Sequence, residues 1–86
     1  DLFSLGVVLF EMFSAEKPFK GENINSLMYA ITHNAYTPLP EVAPGTPACC
    51  VKIIDKLLSK GVTQRYKSAT QLVKQITKCR QELENA

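Results

Sequence analysis

Residues 2–13 would leave no polar face if they formed a helix, and this feature constrains the chain more than any other. Glu11 is the one charged residue of the segment. A helix that is apolar on every side is normally surrounded by protein, so the sequence predicts a buried first helix over 2–13. The segment is well short of the roughly 20 apolar residues that cross a bilayer, and we expect no membrane segment in this chain.

Three further helices are predicted over residues 24–33, 47–60 and 68–84, because their apolar side chains recur at spacings of three and four. Residues 35–47 hold four of the five prolines and are expected to form an irregular connection rather than a helix. The chain shows no alternating pattern typical of strands. The predicted fold class is therefore all-α, with four helices.

The ends of these helices carry residues that commonly cap a helix. Asn23 or Asn25 can begin the second helix, and Asn34 can end it in the left-handed conformation. Thr46, which is followed by a proline, is predicted as the N-cap of the third helix. Ser68 opens a capping box with the glutamine three residues later.

Three short amphipathic helices can cover only part of an all-round apolar helix. An independent domain of 86 residues built this way would expose a large apolar patch. We therefore expect that further protein packs around the first helix.

Charge and cysteine content narrow the function classes. The net charge of +2 is too close to neutral to favour nucleic acid as a partner. Cys49, Cys50 and Cys79 are odd in number and form no C-x-x-C pair, and the only histidine lies far from them in sequence. These spacings argue against a disulfide framework and a metal site. They favour free thiols and a cytoplasmic location.

Two motifs resemble segments of a known family. Asp1-Leu-Phe-Ser-Leu-Gly6 resembles the D-x-[W/F]-S-x-G segment that begins the central helix of the protein-kinase C-lobe, and residues 7–19 are similar to its continuation and Pro-Phe turn. Residues 53–60, followed by Gln64-Arg-Tyr-Lys-Ser-Ala69, are similar to the kinase segment around its late arginine. The R-Y-x-S-A form most resembles bacterial Ser/Thr kinases of the eukaryotic-like type.

The resemblance implies that residues 1–86 are a C-terminal fragment of a kinase catalytic domain. The four helices would form the lower part of the C-lobe within a two-lobed α+β fold. The parent protein would use ATP and Mg²⁺ to phosphorylate Ser or Thr of a protein substrate. None of the kinase motifs that perform phosphoryl transfer occurs in this sequence. No catalytic residue and no metal ligand is therefore assigned here, and the partner of the chain would be the rest of the kinase domain.

Five residues receive roles from the resemblance, each beside a plainer interpretation. Asp1 would hold the backbone of the catalytic loop, or simply cap the first helix. Arg65 would pair with the glutamate of an upstream A-P-E motif, or lie exposed in a loop. Val8 and Met12 would support the apolar stack beneath the adenine, or belong to an ordinary core. Glu11 would contact a basic residue of a peptide substrate, or be a solvated charge.

Two other classes of function stay open. The parent could be a pseudokinase or a helical interaction module that binds partners without catalysis. The chain could also be a free-standing helical protein whose likeness to kinases is accidental.

Overall fold

The computed structural model describes residues 2–85, and all the regular structure among them is helical. The helices are α1 (Leu2–Ser14), α2 (Ile24–His33), α3 (Leu39–Val42), α4 (Ala48–Leu57) and α5 (Ala69–Glu84). A 3₁₀ turn, Val62–Gln64, lies between α4 and α5. The predicted all-α class is confirmed, with one more helix than the four expected.

The additional helix, α3, lies in the connection that was predicted to be irregular. Pro38 occupies its N-cap position and Pro40 its first turn, where a missing N–H costs no helical hydrogen bond. Leu39 is completely buried and anchors the turn in the core. The prolines therefore start this helix instead of preventing it, and the prediction of no helix there is wrong.

The helix α4 is shorter than predicted at both ends. Thr46 does not cap it; its hydroxyl donates instead to the Ala43 carbonyl at 2.8 Å, and Pro47 takes the cap position. The helix stops at Leu57 rather than near residue 60. The carbonyls of Ser59 and Lys60 beyond it accept hydrogen bonds from a side chain, that of Arg65.

Side-chain caps fix the starts of two helices. Asn23 accepts from the Ser26 N–H at 2.9 Å, and the Ser26 hydroxyl accepts from the Asn23 N–H at 3.1 Å, which completes a capping box. Ser68 accepts from the Gln71 N–H at 3.2 Å, as predicted. The Gln71 side chain returns to the N–H of Lys67, one residue before the cap. Asn34 ends α2 in an extended conformation, not the predicted left-handed one.

The buried side chains form two clusters on either side of α4. One cluster joins α1, α2 and α3 to α4, and its members are Phe10, Phe19, Ala30, Leu39, Ile54 and Leu58. The other joins α4 to α5, and its members are Ile53, Leu57, Tyr66, Leu72 and Cys79. The helix α4 is thus central to the core that this chain forms.

Gly6 allows α1 and α4 to approach closely. A Cβ atom built on Gly6 would lie 2.8 Å from the Cβ of Leu57 and 3.1 Å from a methyl carbon of Leu58. Carbon atoms in contact are normally 3.5–4.0 Å apart. The last residue of the motif at the N-terminus therefore has a packing reason to lack a side chain.

The molecule is a thin slab with extents of 43 × 28 × 15 Å. Its accessible surface is 5982 Å², whereas a folded monomer of 9.5 kDa is expected to expose about 5,000 Å². Large apolar side chains remain exposed on α1, α2 and α5: Leu5, Val8, Met12, Phe13, Ile24, Met28, Tyr29, Val73, Ile76 and Leu83. Within residues 2–85 no helix is long and apolar enough to span a membrane.

Candidate functional site

Arg65 lies after the 3₁₀ turn and is held in a fixed orientation. Its Nε donates to the Ser59 carbonyl at 2.7 Å and its Nη2 donates to the Lys60 carbonyl at 3.3 Å. The guanidinium carbon lies 5.3 Å from the centroid of the Phe3 ring, within the range of a cation–π contact. The side chain therefore joins the loop after α4 to the start of α1.

A pocket of about 340 Å³ opens beside this arginine and is lined by Phe3, Ile31, Thr32, Lys60 and Arg65. We call it the arginine pocket. It carries two cationic side chains, and the ion pairs found within residues 2–85 are elsewhere, between Lys20 and Glu16 and between Arg80 and Glu84. The fork of Arg65 suits a carboxylate, so the arginine pocket can bind an acidic side chain supplied from outside the described residues.

Lys60 fixes the far wall of the arginine pocket. Its ammonium donates to the Ile31 carbonyl at 2.5 Å and lies 4.5 Å from the centroid of the Phe19 ring. Ile31 is in the last turn of α2, where carbonyls lack partners within the helix and a positive charge is favourable. No motif or spacing in the sequence singled out Lys60.

Four aromatic rings connect the arginine pocket to the core. Phe3 stacks on Phe19 with centroids 6.0 Å apart, and Tyr36 meets both Phe19 and Phe10 edge to face, at 5.8 and 5.6 Å. The Tyr36 hydroxyl donates to Asp55 at 2.6 Å. Burial, together with the Asp55 carboxylate, raises the pKa of Tyr36 well above its usual range. Phe19, the end of the Pro-Phe turn in the motif, is thus a central member of this aromatic group.

The other predicted site residues lie apart from the arginine pocket. Val8 is 52% exposed and Met12 is 74% exposed, so neither belongs to the core that this chain forms. Glu11 is also exposed on α1. Asp1 lies outside the described residues. The roles that the resemblance implies for these four residues stay predictions.

The cysteines are closer together than their spacing suggested. Cys49 and Cys79 form a disulfide bond with Sγ atoms 2.07 Å apart, which links α4 to α5. Cys50 is free, and its Sγ lies 3.7 Å from that of Cys79. The expectation of free thiols is wrong for Cys49 and Cys79, because the packing of α5 on α4 brings together residues that are 30 positions apart in sequence. The sequence did contain one signal for this disulfide bond, because both cysteines lie on the apolar faces of successive helices.

Comparison with known proteins shows that the chain is similar to parts of several kinases. No family model matches the chain. It is 32% identical over 71 residues to the probable serine/threonine-protein kinase PknB of Bifidobacterium longum, which covers 83% of this chain and 10% of that protein. It is 34% identical over 74 residues to the serine/threonine-protein kinase PknB of Mycobacterium tuberculosis, covering 84% of this chain and 12% of that kinase.

A third relative is named as a histidine kinase. The chain is 30% identical over 82 residues to the peroxide stress-activated histidine kinase mak3 of Schizosaccharomyces pombe, which covers 92% of this chain and 3% of that protein. The chain spans about a tenth of the length of the bacterial kinases that it matches. These similarities confirm the resemblance drawn from the motifs. The chain is therefore similar to a segment of bacterial Ser/Thr kinases and resembles a kinase C-terminal region.

Proposed function

We propose that this chain is the C-terminal scaffold of a Ser/Thr protein kinase that transfers the γ-phosphate of ATP, with Mg²⁺, to a protein substrate. The observation that carries the proposal is the exposed apolar face of α1. Leu5, Val8 and Met12 lie three and four residues apart and therefore on one side of that helix. All three are exposed, although Leu5 belongs to the kinase-like motif at residues 1–6 and Val8 and Met12 to its continuation.

The size of the uncovered surface supports the same conclusion. The accessible surface exceeds that expected of a monomer of this mass by roughly 900 Å². An interface between two parts of one domain buries an area of this order on each side. The rest of the catalytic domain is the partner that the proposal assigns to this surface.

Each predicted residue then has a place in the complete domain. Asp1 holds the catalytic loop, Val8 and Met12 support the apolar stack beneath the adenine, and Glu11 faces the peptide. Arg65 pairs with the glutamate that closes the activation segment. The two cationic side chains of the arginine pocket support that last role. Two donors of the Arg65 guanidinium are already held by hydrogen bonds, so the side chain loses less conformational entropy when a carboxylate binds.

The reading frame upstream of Asp1 gives the first test. Intact H-R-D-x-x-x-x-N and D-F-G motifs there would support the enzyme, and degraded versions would support a pseudokinase. The second test is phosphorylation of casein by the full-length protein with radiolabelled ATP. Phosphoamino-acid analysis of the acid-stable product should give phosphoserine or phosphothreonine and no phosphotyrosine, whereas an acid-labile phosphate on histidine would contradict the proposal.

Arg65→Lys tests the role of the arginine pocket within that protein. Lysine keeps the charge but cannot form the planar fork, so we expect kcat to fall by about tenfold to a hundredfold through misplacement of the activation segment. Arg80→Lys is the matched control, since Arg80 makes an exposed pair with Glu84 on α5. Equal activities for the two variants would refute the assigned role of Arg65 without refuting the kinase.

A further inference from the structure

We propose that the reduced forms of Cys49, Cys50 and Cys79 together bind one thiophilic divalent cation, such as Zn²⁺ or Cd²⁺. The three residues are called the thiol cluster below. Their Sγ atoms all lie within 4.8 Å of one another. The proposal does not depend on the kinase activity proposed above.

The distances suit a tetrahedral metal. A Zn–S bond of about 2.3 Å in a tetrahedral site separates two sulfur ligands by about 3.8 Å. The Sγ atoms of Cys50 and Cys79 are already 3.7 Å apart. Cys49 and Cys79 are joined by the disulfide, so Cys49 Sγ has to move outward by about 1.7 Å after reduction, which is within the reach of a side-chain rotation.

The helices hold the thiol cluster from two sides. Cys49 and Cys50 lie in the first turn of α4, and Cys79 lies in α5. Cys79 is buried, and the other two cysteines are half-buried. A site built on packed helices is better defined than one on a loop, so the three ligands are presented together when α4 and α5 pack.

Charged side chains line a pocket beside two members of the thiol cluster, Cys49 and Cys79. A pocket of about 370 Å³ is lined by Cys49 and Cys79 and also by Lys52, Lys56, Lys78 and Glu82. Three thiolates on a divalent cation carry a net charge of −1, which the excess of lysines offsets. The pocket admits water, the usual fourth ligand where zinc has three protein ligands.

The two states of the thiol cluster exclude each other, because they use the same sulfur atoms. A water-soluble phosphine reduces the disulfide: the phosphorus takes an oxygen from water and becomes a phosphine oxide, and two thiols form. Binding of the metal then displaces three protons, one from each thiol, and forms three metal–sulfur bonds. The oxidised chain has one free thiol and should bind the metal far more weakly.

The full-length protein, reduced with that phosphine, can be titrated with Cd²⁺ while thiolate-to-metal charge transfer is followed in the ultraviolet, as the difference from a variant in which all three cysteines of the thiol cluster are serine. We expect one Cd²⁺ per monomer, an absorbance change corresponding to three thiolates, and release of about three protons. Competition with Zn²⁺ should abolish the absorbance. One metal shared by two chains, or two thiolates per metal, would overturn the proposal.

Cys50→Ser tests the third ligand. Loss of a group that only hydrogen-bonds to a metal ligand already weakens metal binding by about 10–100-fold. Loss of a ligand itself should therefore weaken binding by at least about tenfold and remove a third of the absorbance. Far-UV circular dichroism checks that the variant keeps its helices.

Wild-type chain in concentrated urea is a second control that needs no variant. Undiminished affinity in urea would mean that flexible thiols, and not a site built by the fold, bind the metal.

Discussion

Substitution of Gly6 by alanine tests the close approach of α1 and α4. The new Cβ would lie 2.8 Å from the Cβ of Leu57, so the helices must separate by about 1 Å to restore a normal carbon–carbon contact. Overpacking of this kind costs about 1–3 kcal/mol. Replacing glycine by alanine inside a helix also stabilises the helix by up to about 1 kcal/mol, which offsets part of this cost. We expect a net destabilisation of about 1–2 kcal/mol.

Hydrogen exchange measured by mass spectrometry is the appropriate assay, because it reports local opening even where melting is not cooperative. Amides in α4 near Leu57 and Leu58 should exchange about 5–30 times faster in Gly6→Ala. Gly45→Ala is the matched control, since a Cβ built on Gly45 would meet no atom within 4 Å apart from those of its chain neighbours. Slower or unchanged exchange in α4 of Gly6→Ala would refute the proposed steric role of Gly6.

Three further predictions concern the isolated chain. Ala15, just beyond α1, has a φ of +60°, so Ala15→Gly should stabilise the end of α1 by about 1 kcal/mol. Ala69→Gly should instead destabilise the start of α5. Hydrogen exchange measures both effects, and a change in stability of the same sign in both variants would contradict this interpretation. The pKa of Tyr36 is raised in the fold above the unfolded value of about 10, so its contribution to stability is complete below pH 10 and is lost as the pH rises further. The helical signal in far-UV circular dichroism should therefore fall as the pH rises above about 10, and less steeply in Tyr36→Phe than in Tyr29→Phe, which alters an exposed ring; equal slopes would count against the bond to Asp55. Finally, the isolated chain should be helical by far-UV circular dichroism, bind ANS and melt without a cooperative transition, and a two-state melt of a monomer would disprove the incomplete core.

The parts of the fold set by local interactions were predictable from the sequence. The start of α2 is an example, because Asn23 and Ser26 satisfy each other's backbone N–H groups and need no distant partner. Ser68 caps α5 for a similar reason. The all-helical class follows from apolar spacing within each segment, which is also a local property.

The wrong predictions of the two ends of α4 involve side chains that hydrogen-bond to a partner other than the one expected. Thr46 has the side chain of an N-cap, but its hydroxyl is used by the Ala43 carbonyl. The end of α4 depends on Arg65, which lies six residues beyond Ser59 and takes its carbonyl. No periodicity in the α4 segment could reveal that partner.

The candidate site was predictable only in part, for a geometric reason. The motif indicated Arg65, yet the neighbours that form the arginine pocket, Phe3, Ile31 and Lys60, come from three separate parts of the chain. Cysteine spacing was likewise uninformative, because the Cys49–Cys79 bond depends on how α5 packs on α4. Such juxtapositions are properties of helix packing, which a single sequence does not state.

The position of Lys60 has a consequence for how α2 responds to ionic strength. An exposed cation links the last turn of α2 to the rest of the chain through the Ile31 carbonyl and the Phe19 ring. Dissolved salt screens attractions of this exposed kind, whereas it does not weaken the apolar contact around Gly6. Raising the salt concentration should therefore loosen α2 before α1 and α4 separate. Exchange rates that rise with salt in α2 alone would show that part of its attachment, beyond the apolar contact of Ala30, is electrostatic.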